Sequence, residues 1–161
     1  MNLVIRSLFI STMAVGVLCN AAAVAESGGA DHDALVGIIR AIERGWETAD
    51  GTPFRAHYLD FEGARYIESG GQNEGLTDLI VHHVEPEGDA LSDLDLKLEN
   101  IETHVEGDFA WAVADVELTA TVRRDARPIH NRGYETFVFR RVGGEWKVVH
   151  THSSTRPVAK K

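Results

Sequence analysis

The stretch WKVVHTHSS, Trp146 to Ser154, sets two imidazoles two residues apart in a run that otherwise reads as a β-strand. Residues i and i+2 of a strand point to the same face. His150 and His152 would therefore offer their ring nitrogens side by side. Neutral imidazole, alone or with a carboxylate, is a ligand for zinc, copper or iron. The same groups can pass protons to and from an organic substrate. The choice between these chemistries depends on what else shares that face.

Two turns supply a register. If Gly143-Gly144 is a two-residue hairpin turn, Glu135 stands opposite His152 and Phe137 opposite His150. If Asp125-Ala126 is another, Val116 stands opposite Glu135 and Ala114 opposite Phe137. One face then collects a mostly apolar set whose polar exceptions are Asn131, Glu135, His150 and His152. The expected ligand-binding residues are these four with Phe137 and Trp146. A helix expected over Gly75–Val84 turns His83 to the same interior, and Glu87 follows just past Pro86, which should limit that helix.

Three uses of this constellation stay open. His83, Glu135, His150 and His152 could hold one transition-metal ion, zinc or copper, although no local ligand motif such as H-E-x-x-H is present. Glu135 and His152 are the catalytic candidates of a metal-free alternative, in which a carboxyl with its pKa raised by burial exchanges protons with a small molecule. In the third, the polar groups satisfy one another or water and do no chemistry.

The elements that must position these residues follow from periodicity. Leu35, Ile38, Ile39, Ile42 and Trp46 recur at helical spacing after Asp31 or Asp33, either of which could cap the helix. The preceding ESGGA, Glu26 to Ala30, reads as a flexible lead-in. ARYIES, Ala64 to Ser69, reads as a short strand. Alternation predicts a strand from about Asp93 to His104, a long one after Gly107-Asp108, a return through PIHNRGYETFVFRRV, and a last strand in EWKVVHTHSS. The acidic run EPEGDALSDLD reads as a solvated loop, and Trp111 falls on the outer face of the sheet. Helices followed by a run of antiparallel strands make an α+β fold.

The N-terminus reads as a leader. Arg6 precedes the uncharged stretch Leu8–Ala25, and Ala23-Val24-Ala25 fits signal-peptidase cleavage before Glu26. Residues 1–25 are thus expected to be a signal peptide and 26–161 a single domain, placed in the periplasm or secreted, with no membrane attachment after cleavage. Cys19, the only cysteine, would leave with the leader. The formal charge of −9 speaks against a nucleic-acid or anionic-lipid partner.

GDFAWAVADVELTATVRR followed by YETFVFRRVGGEWKVVHTHSS resembles the C-terminal half of the SnoaL-like branch of the NTF2-like superfamily. The likeness spans roughly residues 31–156 and is densest after Gly107. It implies a cone-shaped fold, a curved antiparallel sheet with helices packed on its concave face and a pocket between them. It also implies a homodimer formed through the outer sheet face. That branch includes cyclases, isomerases, dehydratases and non-catalytic binding domains, so the fold alone does not choose a function. The segment GTPFRAHYLDFEGARY lacks a clear Asp/Tyr dyad of the isomerase kind. The expectation is an exported domain that binds a small molecule in a His/Glu pocket, through a transition metal or, alternatively, by acid–base catalysis. A further alternative is a non-catalytic dimerising domain.

Overall fold

The computed structural model describes residues 19–159, with side chains from residue 29 onward. Most of the expected leader lies outside these residues. Helix α1 runs Cys19–Thr48 without interruption, straight through the segment expected to be a flexible lead-in. Asp31 is therefore not its cap. It instead accepts from Arg141 Nη2, at 2.8 Å to each oxygen, and from the Trp146 indole N–H at 3.0 Å. The Arg141 guanidinium lies 4.0 Å from the Trp146 ring centre. This joins α1 to the far end of the sheet.

After α1 come α2 (Thr52–His57), β1 (Arg65–Glu68) and β2 (Gly71–Glu74). A continuous helical segment follows: α3 (Leu76–Asp78), a π-helical turn (Leu79–Val84) and α4 (Glu85–Ala90). The π turn ends where the Glu85 N–H reaches back to Ile80 O. Pro86 then occupies the first turn of α4, where a missing N–H leaves nothing unsatisfied. Pro86 thus limits the first helical stretch without ending the helical path, and half of the acidic run expected as a loop is helix. Strands β3 (Leu91–Glu106), β4 (Phe109–Val122), β5 (Arg127–Val142) and β6 (Glu145–Pro157) complete the chain.

The sheet has six strands in the order β2-β1-β6-β5-β4-β3. β1 joins β6 in parallel, and the remaining pairings are antiparallel. The expectation of a cone-shaped, curved antiparallel sheet is corrected on this point. The sheet is mixed, and it stays open with β2 and β3 as its edges rather than wrapping into a cone. The α+β class itself holds. The apolar stripe of α1 meets strand residues Leu96, Leu98, Ala112, Ala114, Phe137, Phe139 and Val148 in one core. From α1, Glu43 accepts the Leu98 N–H at 2.8 Å and Glu47 the Leu96 N–H at 3.3 Å, on the side of β3 that has no strand neighbour.

Two register departures matter. Between β4 and β5 the pairs run Val122 with Arg127, Ala114 with Glu135 and Ala112 with Phe137. The turn is four residues, Arg123–Ala126, and every pair lies two places from the expected one. A shift of two keeps each side chain on its face. Between β5 and β6 the expected pairing holds from Val142–Glu145 to Phe139–Val148, then shifts by one at Val138–Phe139. Beyond that bulge Phe137 pairs with Thr151, Thr136 with His152 and Glu135 with Ser153. A shift of one exchanges the faces of everything that follows.

Past the bulge, Gly133 lies so close to β6 that a Cβ built on it would stand 1.9 Å from Ser154 O. Backbone cannot retreat from such a contact as a side-chain tip can. Gly133→Ala is expected to destabilise the fold by about 1–3 kcal/mol, read as a lower denaturant midpoint at unchanged slope.

Candidate functional site

The inner face of the sheet holds a cavity of about 250 Å³. Leu91, Leu94, Leu96, Val116, Leu118 and Ile129 form its apolar wall, and Trp46, Glu68, Glu87, Asn131, Glu135, Ser153 and Thr155 are among its other lining residues. A larger groove of about 680 Å³ crosses the sheet and is lined mainly by charged and polar side chains, including Lys97, Glu99, Glu117, Arg132 and Arg156. The smaller cavity is the one that combines apolar walls with a few convergent polar groups, the usual make-up of a small-molecule site.

Glu135 is the centre of its polar end. β5 delivers it to the inner face, where it is only 8% exposed. Among the described residues no hydrogen-bond donor meets its carboxylate. Burial, with the Glu68 charge second, pushes its pKa up to about 8. The carboxyl is therefore largely protonated at neutral pH.

Beside it stands a second group. The His83 Nε2 lies 3.1 Å from Glu68 Oε2 and 3.8 Å from Glu87 Oε1. The Asn73 amide meets His83 Nδ1 at 3.0 Å, and Trp46 packs edge-on against the ring at 5.0 Å. An amide can offer its nitrogen to a neutral ring or its oxygen to a protonated one. The Glu68 hydrogen bond raises the His83 pKa, partly offset by burial and helped by the charges of Glu68 and Glu87. Burial raises Glu87 in turn, against the pull of His83. Four elements converge here: β1 brings Glu68, β2 Asn73, the π turn His83 and α4 Glu87. Short π-helical insertions are frequent at functional sites because they re-aim side chains within a helix.

The expected residues divide into three groups. Asn131 and Glu135 line the cavity, and His83 stands behind Glu68 and Glu87. Phe137 is fully buried in the core, and Trp146 is engaged with Asp31 and Arg141 away from the cavity. His150 and His152 are on the opposite face. The bulge turned them outward and turned Thr151, Ser153 and Thr155 inward. His150 donates from Nδ1 to the Arg65 carbonyl at 2.7 Å, and His152 is exposed. The expected metal ligand set of His83, Glu135, His150 and His152 is therefore not assembled. Among the described residues no group of three or more His, Cys, Asp or Glu side chains is placed to hold a metal ion.

Glu68, Asn73, Leu91 and Leu94 escaped sequence reasoning. Glu68 lies in the strand read correctly at ARYIES, and nothing in its type marked it out. Asn73 sits in GQNEG, which has no apolar alternation to mark a strand. Leu91 and Leu94 fall in the run taken for a solvated loop.

The comparisons agree with this architecture. The SnoaL-like domain family matches residues 38–159, and the chain belongs to that family, within the NTF2-like superfamily. Its fold is similar to an NTF2-like superfamily protein from Salmonella enterica serovar Typhimurium, at 24% identity and a TM-score of 0.69 over 78% of this chain and 89% of that one. It is similar to a candidate dehydratase of the NTF2-like family from Streptomyces avermitilis, at 17% identity and a TM-score of 0.68 over 82% and 99%. It is also similar to a candidate aromatic ring hydroxylase from Novosphingobium aromaticivorans, at 20% identity and a TM-score of 0.67 over 78% and 91%. None of the curated proteins matches the sequence. Among the described residues no helix is long and apolar enough to cross a membrane.

The buried carboxyl makes stability depend on pH. Below its ordinary value of 4.5 the folded and unfolded chains both hold the Glu135 proton, and between there and about 8 only the folded chain does. Stability therefore falls as pH rises through that window, by about 1.4 kcal/mol per unit for this one group. His83, also raised, loses its contribution in the same direction above its unfolded value of 6.5. Urea denaturation at pH 5 and pH 8 should find Glu135→Gln more stable than the parent at pH 8 by at least about 1 kcal/mol, with the gap closing toward pH 5. An equal gap at both values would contradict the assignment.

Proposed function

We propose that the protein is a metal-free acid–base catalyst of the isomerase, dehydratase or cyclase kind, acting on a small, largely apolar organic molecule in the Glu135 cavity. The observation that carries this reading is a carboxyl buried among the apolar walls of a cavity, its pKa raised by that burial, next to the His83–Glu68 pair. A carboxyl with a pKa near neutrality can both give and take a proton at physiological pH. Glu135 would protonate a carbonyl or departing hydroxyl oxygen, or accept a proton from the adjacent carbon. Glu68 and Glu87 would exchange protons with His83 at the same end of the cavity. The likeness to a candidate dehydratase is in keeping with this chemistry, although at 17% identity it speaks for the fold alone. On the strength of the leader-like segment Leu8–Ala25, we place this activity outside the cytoplasm.

The test is proton exchange in heavy water on a panel of small cyclic ketones and β-hydroxy ketones, followed by mass spectrometry. The parent protein should incorporate deuterium beside the carbonyl or eliminate water. Glu135→Gln should lower that rate by about 10²–10⁴-fold, and an unchanged rate in the variant would sink the reading.

The outer face supports a second role, assembly. Phe109, Trp111 and Tyr134 are exposed there by 55%, 46% and 63%, and Trp111 stacks on His104 at 4.0 Å. Aromatic groups of this size on one sheet face suit a contact between two copies. Light scattering should find a dimer for the parent chain and monomers for Trp111→Asp; a monomeric parent would dismiss this role.

A further inference from the structure

We propose that the cavity selects a small organic monocation, an amine whose ammonium group lies among Glu68, Glu87 and Glu135 and whose apolar body rests on the leucine wall. This deepens the reading above and rests on its choice of the Glu135 cavity as the working site.

The charge inventory is one-sided. Three carboxyls face the polar end: Glu68 from β1, Glu87 from α4 and Glu135 from β5. The facing cationic group is His83 from the π turn, within reach of Glu68 and Glu87. Among the described residues neither lysine nor arginine lines the cavity. Three carboxyls thus share one imidazole, so acidic groups are in surplus at this end. An anionic substrate would meet three carboxyls at close range, where like groups oppose it. A neutral alcohol could donate one hydrogen bond but would leave the surplus in place. An ammonium cancels it, and its three N–H groups supply the donor that Glu135 lacks.

The remaining walls fit the rest of such a molecule. Leu96, Val116, Leu118 and Ile129 lie side by side on the inner face of β3, β4 and β5, and Leu91 and Leu94 from the start of β3 line the cavity with them. Trp46 lines it too, and an indole ring is the best neutral partner for a cation. A volume of about 250 Å³ falls below the usual range for drug-sized ligands. That limits the body to a single ring or a short branched chain.

Occupancy would also change Glu135. A positive charge beside a carboxyl favours its ionised form. Binding the amine should therefore release the Glu135 proton and convert the resting acid into a base. The substrate would switch on the group that acts on it.

Calorimetry with three ligands sharing one ring separates the possibilities: cyclohexylmethylamine, cyclohexylmethanol and cyclohexanecarboxylate. At pH 7 the amine should bind at least about tenfold tighter than the alcohol, and the carboxylate should not bind. Runs in two buffers of different ionisation heat should find a proton released with the amine by the parent and none by Glu135→Gln. Glu87→Gln, which removes one carboxylate and leaves Glu135 in place, should narrow the amine's advantage. Equal or tighter binding of the alcohol or carboxylate, or no binding of any of the three at millimolar concentration, would overturn the inference. Proton exchange on the ketone panel with no preference for the amine would remove this inference alone. A preference for the amine with no catalysed exchange would retain the cation site and remove the acid–base reading.

Discussion

The single extra residue that β6 carries opposite the Val138–Phe139 step governs the rest of the molecule. Up to Val148 the strand is held by a regular pairing with β5 on one side. On the other, Leu59 N–H bonds to Val148 O at 2.9 Å. From Tyr66–Thr151 onward, β1 has joined in parallel. The bulge lies between these two attachments and lets one strand serve both. Its effect is a change of lining. Small hydroxyl side chains at Ser153 and Thr155 face inward where imidazoles would otherwise stand, and that leaves the room in which Glu135 sits. With two histidines inward, the cavity would be smaller and Glu135 would have partners.

What remains inside is an imbalance of polar groups held by an apolar shell. Glu135 is buried with no hydrogen-bond donor on its carboxyl among the described residues, its oxygens open to the cavity, while Glu68, Glu87 and Asn73 share one histidine. A core selected only for stability pairs its buried polar atoms. A carboxyl left without a donor is a local cost, and such costs concentrate where proteins do chemistry. The π turn points the same way. An i→i+5 bond interrupts an otherwise ordinary helical path at His82 and His83, and one of these two faces solvent while the other reaches the cavity's acids.

Much of the fold was readable. The α1 stripe, the ARYIES strand and the four long strands follow from periods of 3.6 and 2, which are properties of whole segments and tolerate local errors. The β4–β5 turn illustrates this, since a loop two residues longer than expected moved every pair and flipped no face. The site was readable only in part, because it depends on parity. VVHTHSS alternates equally well in either phase, and one inserted residue chose Thr151 over His150. Glu135 was found because the extra residue lies on β6, so the alternation of β5 and its pairing with β4 run without a slip. The cone-shaped, curved antiparallel sheet failed for another reason. β1 and β2 are four residues each, and a segment that short cannot announce which neighbour it will choose or in which direction. GQNEG, which gives β2, has no apolar alternation at all.

An open sheet has ends, and ends can recruit strands from elsewhere. β2 limits its own exposure by stopping after four residues. β3 is sixteen residues long and cannot rely on brevity. Along its middle, though, the backbone donors of Leu96 and Leu98 are taken by Glu47 and Glu43 of α1. Bulges at Ser92–Asp95 and Glu99–Glu102 bound that stretch on either side. A foreign strand approaching this edge would find its hydrogen-bond sites occupied and its ladder out of step. The helix that closes the core from above therefore also guards the sheet from the side, and keeps copies of this acidic chain from polymerising edge to edge.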